Sequence, residues 1–227
     1  MRVLVTRPEE HADELAARLR AAGHEPVPCP LVRLEGLGGD GPVDVAGYDW
    51  VVVTSRTGAA HLVRRARGPL PRIAAIGPGT AAALREHGIE PALVPEVSTQ
   101  EGLVAAFPRP AGRVLFAGAE AARRLLVDEL AADFVALYRT VPAPPEHGLP
   151  PGEAVLVASP SAARVLAPAW AALSPAARPL VVSIGPQTSA AAREEGLPVD
   201  VEAERFDLDG LLAAVERAAA LAGARRR

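Results

Sequence analysis

The sequence predicts an α/β protein made of two similar doubly wound parallel-sheet units, related by internal duplication. Two observations carry this prediction: a 15-residue segment recurs 108 residues later, and short apolar runs alternate with amphipathic helical stretches. The length of the chain is compatible with two units, because 227 residues, of which 49% are hydrophobic, are enough to form two cores. We therefore expect two copies of one unit.

The repeat can be read directly from the residues. Segment 75–89 and segment 183–197 share Ile-Gly-Pro, a threonine two residues later, and an alanine-rich stretch that closes on glycine. Further segments repeat at offsets of 104 to 111 residues: 50–55 with 154–159, 2–5 with 113–116, and 101–103 with 209–211. Changes in loop length explain so small a drift in the offset.

Six short apolar runs predict strands buried on both faces, as in a parallel sheet. They are Val3–Val5, Trp50–Val53, Ile73–Ile76, Val114–Phe116, Val155–Val157 and Leu180–Ile184. Helices are expected between them, and the first begins near Pro8 and ends at Gly23. Its apolar stripe recurs at helical spacing: Ala12, Leu15, Ala16, Leu19 and Ala22.

Helix ends are predicted from capping residues. Thr80 and Thr188 are placed as N-caps, each with a glycine eight residues later as the stop. The segment Ser98-Thr99-Gln100-Glu101 has the spacing of a capping box, and Asp207 takes the equivalent place in the second copy. The last residues, Ala218–Arg227, are expected to fray.

Composition excludes several function classes. A net charge of −3 and a pI near 6.0 argue against a broad nucleic-acid-binding face. All 24 basic residues are arginine, so Schiff-base aldolases and pyridoxal enzymes, which need a lysine, are excluded. One cysteine and scattered histidines exclude a disulfide framework and predict no metal site. The lack of lysine and asparagine, with 23 prolines, fits a thermophile and equally a GC-rich codon bias.

The start of the chain and its apolar runs predict a cytoplasmic protein without a membrane partner. The first residues enter a strand pattern directly, with no signal peptide. No apolar run approaches the roughly 20 residues that cross a bilayer.

Ligands of open α/β sheets bind where the strands end, so the residues there are the candidate site. The candidates for ligand binding are Arg7, Thr54, Ser55, Arg56, Gly79, Thr80, Ser159, Ser161, Gln187 and Thr188. Helices beginning at these points expose backbone N–H groups that bind anions. The alternative is that the serines and threonines only cap helices, but a duplicated set favours binding.

Two further features carry weaker predictions. Gly77–Ala82 matches the dinucleotide pattern G-x-G-x-x-A, yet it follows the third strand of its unit and Gln187 replaces the second glycine in the copy. Nucleotide binding is therefore disfavoured. Cys29, between two prolines, is expected to be a small buried hydrophobe.

Seven motifs in register resemble the uroporphyrinogen-III synthase family. They are Val5-Thr6-Arg7-Pro8, Thr54-Ser55, Ile76–Thr80, Ser98–Leu103, Tyr138-Arg139-Thr140, Ser159-Pro160-Ser161 and Ile184–Thr188. The resemblance runs from about residue 2 to residue 215, and the ordered set is far more specific than any single motif.

The resemblance implies a discontinuous domain of residues 1–33 and 143–227, with residues 34–142 as an inserted α/β domain. Two linkers near Leu31–Leu37 and Arg139–Pro145 would form a two-strand hinge, with a ligand cleft between the domains. The repeat is then cross-assembled: the first strand–helix pair of each copy completes the domain of the other.

The resemblance also implies an activity. Family members cyclise hydroxymethylbilane, a linear octacarboxylate tetrapyrrole, to uroporphyrinogen III, inverting ring D through a spiro intermediate and releasing water. The implied protein is a cofactor-free hydro-lyase of haem, sirohaem and cobalamin biosynthesis, expected as a monomer. Arg7 and Arg56 are candidates to grip substrate carboxylates, or else ordinary surface arginines. Tyr138 is the candidate general acid, since a phenol is mostly protonated at neutral pH, or else a packing tyrosine.

Two rival functions use the same scaffold. A non-catalytic regulator that binds a tetrapyrrole or another polyanion would normally carry an output module, and only Ala218–Arg227 follow the second copy. A hinged binding protein of periplasmic type would carry an export signal. The enzyme is therefore favoured.

Overall fold

The computed structural model describes residues 1–38 and 41–225, which form two compact units. Unit 1 comprises Met1–Leu34 and the chain from Thr140 onward, and unit 2 comprises Glu35–Arg139. The chain passes from one unit to the other twice, each time within a strand. Unit 2 is thus an insertion in the chain of unit 1.

Short strands and helices alternate along the chain. The strands are β1 (Arg2–Val5), β2 (Glu25–Pro28), β3 (Val32–Gly36), β4 (Val43–Asp44), β5 (Trp50–Val53), β6 (Ala66–Arg67), β7 (Arg72–Ala75), β8 (Val114–Ala119), β9 (Asp133–Pro142), β10 (Ala154–Val157), β11 (Leu180–Ser183) and β12 (Val201–Glu202). The helices are α1 (Asp13–Ala21), α2 (Arg56–Arg65), α3 (Pro78–Arg85), α4 (Gln100–Ala106), α5 (Leu125–Leu130), α6 (Pro160–Ala171), α7 (Pro186–Glu194) and α8 (Leu208–Arg225). All six predicted strands are confirmed.

Unit 1 is a doubly wound α/β layer structure. Its sheet has the order β12-β11-β10-β1-β2, and every neighbouring pair is parallel. Successive residues of β1 face opposite sides: Val3 and Val5 pack with α1 and α8, whereas Leu4 packs with α6 and α7. Because both faces are covered, the strands read as continuous apolar runs.

Unit 2 repeats this plan in the parallel strands β9-β8-β5-β7, and β3 is added at the edge of the sheet beside β9. Trp50, Val52 and Phe116 pack with α4 and α5, while α2 packs against α3. A two-stranded parallel ladder of β4 and β6 lies apart from this sheet.

The predicted cross-assembly of the two copies is confirmed by the strand pairing. β1, the first strand of copy one, pairs with β10 of copy two, with Val3 opposite Ala154. β8, the first strand of copy two, pairs with β5 of copy one, with Trp50 opposite Val114. Each sheet therefore contains strands from both copies.

The prediction that Thr80 and Thr188 are N-caps is wrong. The N-caps are Gly77 and Gly185, three residues earlier. A proline follows each glycine at the first helical position, where its fixed φ and missing N–H favour a helix start. The two threonines lie inside the first turn and are buried.

The predicted capping box at Ser98–Glu101 is also wrong, whereas the predicted cap at Asp207 in the second copy is confirmed. Thr99, not Ser98, caps α4, and its Oγ1 accepts a hydrogen bond from Gly102 N at 3.0 Å. Glu101 pairs with Arg123, and this pair first, followed by a hydrogen bond from the backbone N–H of Glu101, lowers the pKa of its carboxyl to about 2. Asp207 caps α8, accepting from Gly210 N at 2.7 Å.

The C-terminal segment does not fray as predicted. α8 continues to Arg225, and Ala218 is fully buried in the core of unit 1, because its apolar stripe packs on the sheet. Arg226 and Arg227 lie outside the described residues. Among the helices of the described ranges, none has the length and apolar character needed to cross a bilayer.

Candidate functional site

The predicted site residues fall into two sets, one in each unit, at the carboxyl ends of the parallel strands. The carboxyl edge of unit 1 contains Arg7, Ser159, Ser161, Gln187 and Thr188. The carboxyl edge of unit 2 contains Thr54, Ser55, Arg56, Gly79, Thr80 and Tyr138. Each unit thus gathers its own set, as parallel strand order requires.

Each sheet has a switch point, where the strand order changes direction and ligands of such folds bind. In unit 1 it lies between β1 and β10, and Thr6 bridges it: its Oγ1 donates to Leu156 O at 2.5 Å. In unit 2 the switch point lies between β8 and β5. Thr6 is fully buried and ties together the ends of β1 and β10, the two strands that Arg7 and Ser159 follow.

Duplicated serines cap the helices that follow the switch points. Ser55 Oγ accepts from Gly58 N at 2.9 Å at the start of α2. Ser159 Oγ accepts from Ala162 N at 3.2 Å at the start of α6. The capping interpretation is therefore confirmed for these two serines, and their hydroxyl protons stay available for a second partner.

The other two helices begin differently. The N-caps of α3 and α7 are glycines, which have no side chain to accept from the backbone. The N–H groups of Gly79 and Thr80 therefore lack a side-chain cap, as do those of Gln187 and Thr188. Such uncapped helix starts are anion-binding sites in other proteins.

Tyr138 is joined to the capped start of α2. Its hydroxyl lies 2.9 Å from Ser55 Oγ, and only 8% of the residue is exposed. Gly58 leaves room for this pair, because a methyl group there would lie 3.0 Å from Ser55 Oγ. The phenol, the serine hydroxyl and Gly58 N–H form a chain that ends at the positive end of the helix dipole.

Ser159 occupies the equivalent position in unit 1 without a phenol beside it in the described residues. β9, which carries Tyr138, runs beside β8 with Tyr138 opposite Ala119. The matching strand β2 ends at Pro28 and is followed by Cys29, which is buried. The two edges are therefore alike in their helix starts and different in their proton donors.

His61 fixes the ring of Tyr138, a contact that sequence reasoning missed. The two rings stack with centroids 5.7 Å apart and planes 9° apart. Arg64 donates to His61 Nδ1 at 3.0 Å. Burial first, and then the charges of Arg64 and Arg65, lower the pKa of His61 below its ordinary value. In the sequence, the only indication of this contact is that His61 lies on α2, the helix that Ser55 caps.

We expect His61 to make the fold sensitive to acid. Its pKa is lower in the folded than in the unfolded protein, so its contribution to the free energy of unfolding is full above 6.5 and is lost as pH falls through the folded pKa. His61→Phe keeps an aromatic ring and removes the titration. Urea midpoints between pH 7.5 and about 5 should fall less steeply in the variant than in the wild type. Parallel slopes would contradict this assignment.

The remaining candidates differ in exposure. Arg56 is exposed, with Nη2 at 3.9 Å from Glu86 Oε1, and Arg7 is half-buried beside Thr6. Gly79 and Gln187 occupy equivalent exposed positions, in the first turns of α3 and α7. Thr54 and Ser161 are half-buried. The structure brings arginine and helix starts together on the same edge in each unit.

Cys29 is the small buried hydrophobe that was predicted, and burial raises the pKa of its thiol. Within residues 1–38 and 41–225, His, Cys, Asp and Glu side chains form no group of three that could hold a metal ion.

Comparison with known proteins identifies similar chains. Residues 13–213 match the model of the family described as Uroporphyrinogen-III synthase HemD. A uroporphyrinogen-III synthase from Synechococcus elongatus is 29% identical, over 95% of this chain and 94% of that protein. The crystal structure of a mutant uroporphyrinogen III synthase from the extremely thermophilic bacterium Thermus thermophilus superposes with a TM-score of 0.59, at 20% identity, covering 96% of this chain and 98% of that one. The last comparison supports the fold.

Proposed function

Because the chain belongs to the uroporphyrinogen-III synthase family, we propose that it converts hydroxymethylbilane to uroporphyrinogen III. The reaction is a cyclising dehydration, which makes the protein a hydro-lyase of tetrapyrrole biosynthesis. The relative from Synechococcus elongatus is named a uroporphyrinogen-III synthase, and the similarity covers 94% of its length, which supports this proposal.

The proposed chemistry needs one proton donor and strict control of conformation. The hydroxyl of the hydroxymethyl group on ring A accepts a proton and leaves as water, and the methylene carbon that stays on the ring becomes part of an azafulvene cation. Ring D attacks this carbon through its substituted position and forms a spiro-pyrrolenine. The bond between ring D and its neighbouring bridge breaks and reforms at the other position, and loss of a proton restores the aromatic pyrrole. Without an enzyme the bilane closes at the free position, so the protein must hold the substituted carbon nearer.

The hydrogen bond between Tyr138 and Ser55 is the single observation that carries the proposal. In this proposal the buried phenol of Tyr138, bonded to Ser55 beside the switch point of unit 2, gives its proton to the departing hydroxyl. Ser55 then donates to the phenolate, and the start of α2 stabilises the negative charge.

We propose that the two carboxyl edges bind the carboxylates of the substrate. The uncapped N–H groups of Gly79, Thr80, Gln187 and Thr188 offer hydrogen bonds to carboxylate oxygens. Exposed Arg56, at the start of α2, supplies a positive charge on the edge with the first pair, and Arg7 supplies one on the edge with the second. The remaining candidates, Thr54, Ser159 and Ser161, add hydroxyl groups.

The test is to incubate the purified protein with fresh hydroxymethylbilane, oxidise the products to porphyrins, and separate the type I and type III isomers. Dominant type III is the expected result. Type I alone, formed at the protein-free rate, would overturn the synthase proposal and leave a tetrapyrrole-binding protein.

The duplicated serines provide a matched pair of variants. Ser55→Ala and Ser159→Ala should each lower the free energy of unfolding by about 1 kcal/mol, because each helix loses its cap. We expect kcat to fall, about tenfold, only for Ser55→Ala, since of the two serines only Ser55 bonds the Tyr138 hydroxyl. Equal kcat values for the two variants would show that Ser55 has no role in catalysis beyond capping its helix.

Thr80→Val and Thr188→Val test whether the threonine hydroxyls at the uncapped helix starts also bind the substrate. Both side chains are almost fully buried, so valine keeps their shape and removes the hydroxyl. We expect KM to rise about tenfold, with stability changed by less than about 1 kcal/mol. Thr99→Val is the control, because Thr99 caps α4 and should show the reverse pattern. A stability loss without a change in KM would make Thr80 and Thr188 structural.

A further inference from the structure

Phe206 is the most exposed large apolar side chain of the described residues, at 65% of its surface. It follows β12 and directly precedes Asp207, the N-cap of α8. Single exposed apolar residues are ordinary on protein surfaces, so exposure alone assigns no role to Phe206. Its surroundings do.

The ring is held against the start of α7. A methyl group on Gly185 would lie 2.6 Å from Phe206 Cδ1, so the ring rests on the bare backbone of the N-cap glycine. Ser183 fixes that glycine in turn, because its buried Oγ donates to Gly185 O at 3.1 Å. The ring therefore lies on the carboxyl edge of unit 1, against Gly185, which precedes Thr188 by three residues.

The backbone on both sides of Phe206 is also fixed. Ala203 N donates to Ser183 O at 2.8 Å, which ties the segment to β11. After Phe206, the cap of Asp207 fixes the start of α8. Gly210, which has no side chain, lies against the carbonyl of Arg205. Phe206 is thus an exposed ring on a rigid support, as a preorganised contact requires.

The equivalent position in the first copy has no aromatic ring. Ser98 is the equivalent residue in the first copy, and it lies against Gly77 as Phe206 lies against Gly185. The two edges therefore differ: a hydroxyl covers the start of α3, and a phenyl ring covers the start of α7. A role as a hydrophobic staple of α8 would require the ring to be buried on that helix, and most of it is exposed.

We propose that Phe206 binds one pyrrole ring of the tetrapyrrole face to face or edge to face, while the adjoining start of α7 binds a carboxylate of the same ring. The pyrrole ligand class rests on the proposed function, whereas the ring and its support are features of unit 1. Since Ser98 offers no such surface, this contact belongs to the carboxyl edge of unit 1 and has no counterpart at the equivalent position of unit 2.

The test uses two variants and one control. Phe206→Ser introduces the residue of the other copy, and Phe206→Tyr retains an aromatic ring. Leu221→Ser removes a second exposed apolar side chain of unit 1, about 20 Å further along α8. Binding of uroporphyrin, a stable octacarboxylate tetrapyrrole, is measured by fluorescence titration, and KM and kcat are measured with hydroxymethylbilane.

We expect Phe206→Ser to raise the uroporphyrin Kd and the KM about tenfold, with kcat within about twofold and an unchanged Tm. Phe206→Tyr and Leu221→Ser should match the wild type. Unchanged Kd and KM in Phe206→Ser overturn the inference, as does a fall in Tm that accompanies the loss, which would assign the staple. If the wild type forms type I alone, the synthase proposal fails and the uroporphyrin titration still decides on Phe206. A wild type that neither binds uroporphyrin nor consumes the bilane overturns both.

Discussion

Tyr138→Phe is expected to lower kcat for hydroxymethylbilane about 100-fold. The substitution removes the hydroxyl that lies 2.9 Å from Ser55 Oγ and leaves the ring that stacks on His61. The departing hydroxide then has no buried proton donor, and Ser55 has no phenolate to stabilise. Turnover should persist at a low level, because an electron-rich pyrrole expels hydroxide readily even without a positioned acid.

Tyr48→Phe is the matched control, since Tyr48 is the other of the two tyrosines in the sequence and also lies in unit 2. Its hydroxyl donates to Asp133 Oδ2 at 2.8 Å in an exposed position, away from the carboxyl edge. We expect its kcat to match the wild type. Both variants should lose no more than about 1 kcal/mol of unfolding free energy. A Tyr138→Phe kcat within about twofold of the wild type would make Tyr138 a packing residue.

The largest loss of stability is expected for Arg65→Met, of about 3 kcal/mol. Arg65 is 5% exposed, and its guanidinium donates to three backbone carbonyls: Gly41 O at 2.9 Å, Leu37 O at 2.6 Å and Leu137 O at 3.3 Å. Methionine keeps the apolar stem and leaves these carbonyls without their donor. Because Leu137 precedes Tyr138 on β9, the variant should also lower kcat.

Arg67→Met controls for the loss of one positive charge nearby. Arg67 is exposed, and its side chain bonds the carbonyls of Arg64 and Ala66, which are close neighbours in sequence. We expect its free energy of unfolding to change by less than about 0.5 kcal/mol. Urea denaturation of both variants measures the difference. A loss below about 1 kcal/mol in Arg65→Met would show that water replaces the guanidinium.

Much of the fold was predictable because its signals are local. The six apolar runs form strands whose ends lie within three residues of the predicted ends. Gly88 and Gly196 have φ of +73° and +77°, the left-handed conformation that ends a helix at glycine. Periodic burial and glycine stops depend on a few consecutive residues, so a single sequence reveals them.

Helix starts were predicted less well, since two local signals compete there. Thr80 and Thr188 are good capping residues, yet Pro78 and Pro186 draw the helix start to the preceding glycines. At α4, Thr99 and Ser98 are adjacent capping residues, and the close approach of Gly102 to the Val97 carbonyl accompanies the choice of Thr99. Capping chemistry predicts the neighbourhood of a helix start, and packing selects the residue.

The sequence by itself determined the duplicated α/β units, their strands and the polar residues that follow them. Only the tertiary structure decided which of these residues meet. Ser55 and Tyr138 are 83 residues apart, and Thr6 and Leu156 are 150 apart, yet each pair is joined by one hydrogen bond. Residue patterns report backbone preference and burial over one element, whereas the order of strands in a sheet sets contacts between distant elements. That order placed Tyr138 beside Ser55, left Ser159 without a phenol, and set Phe206 on Gly185.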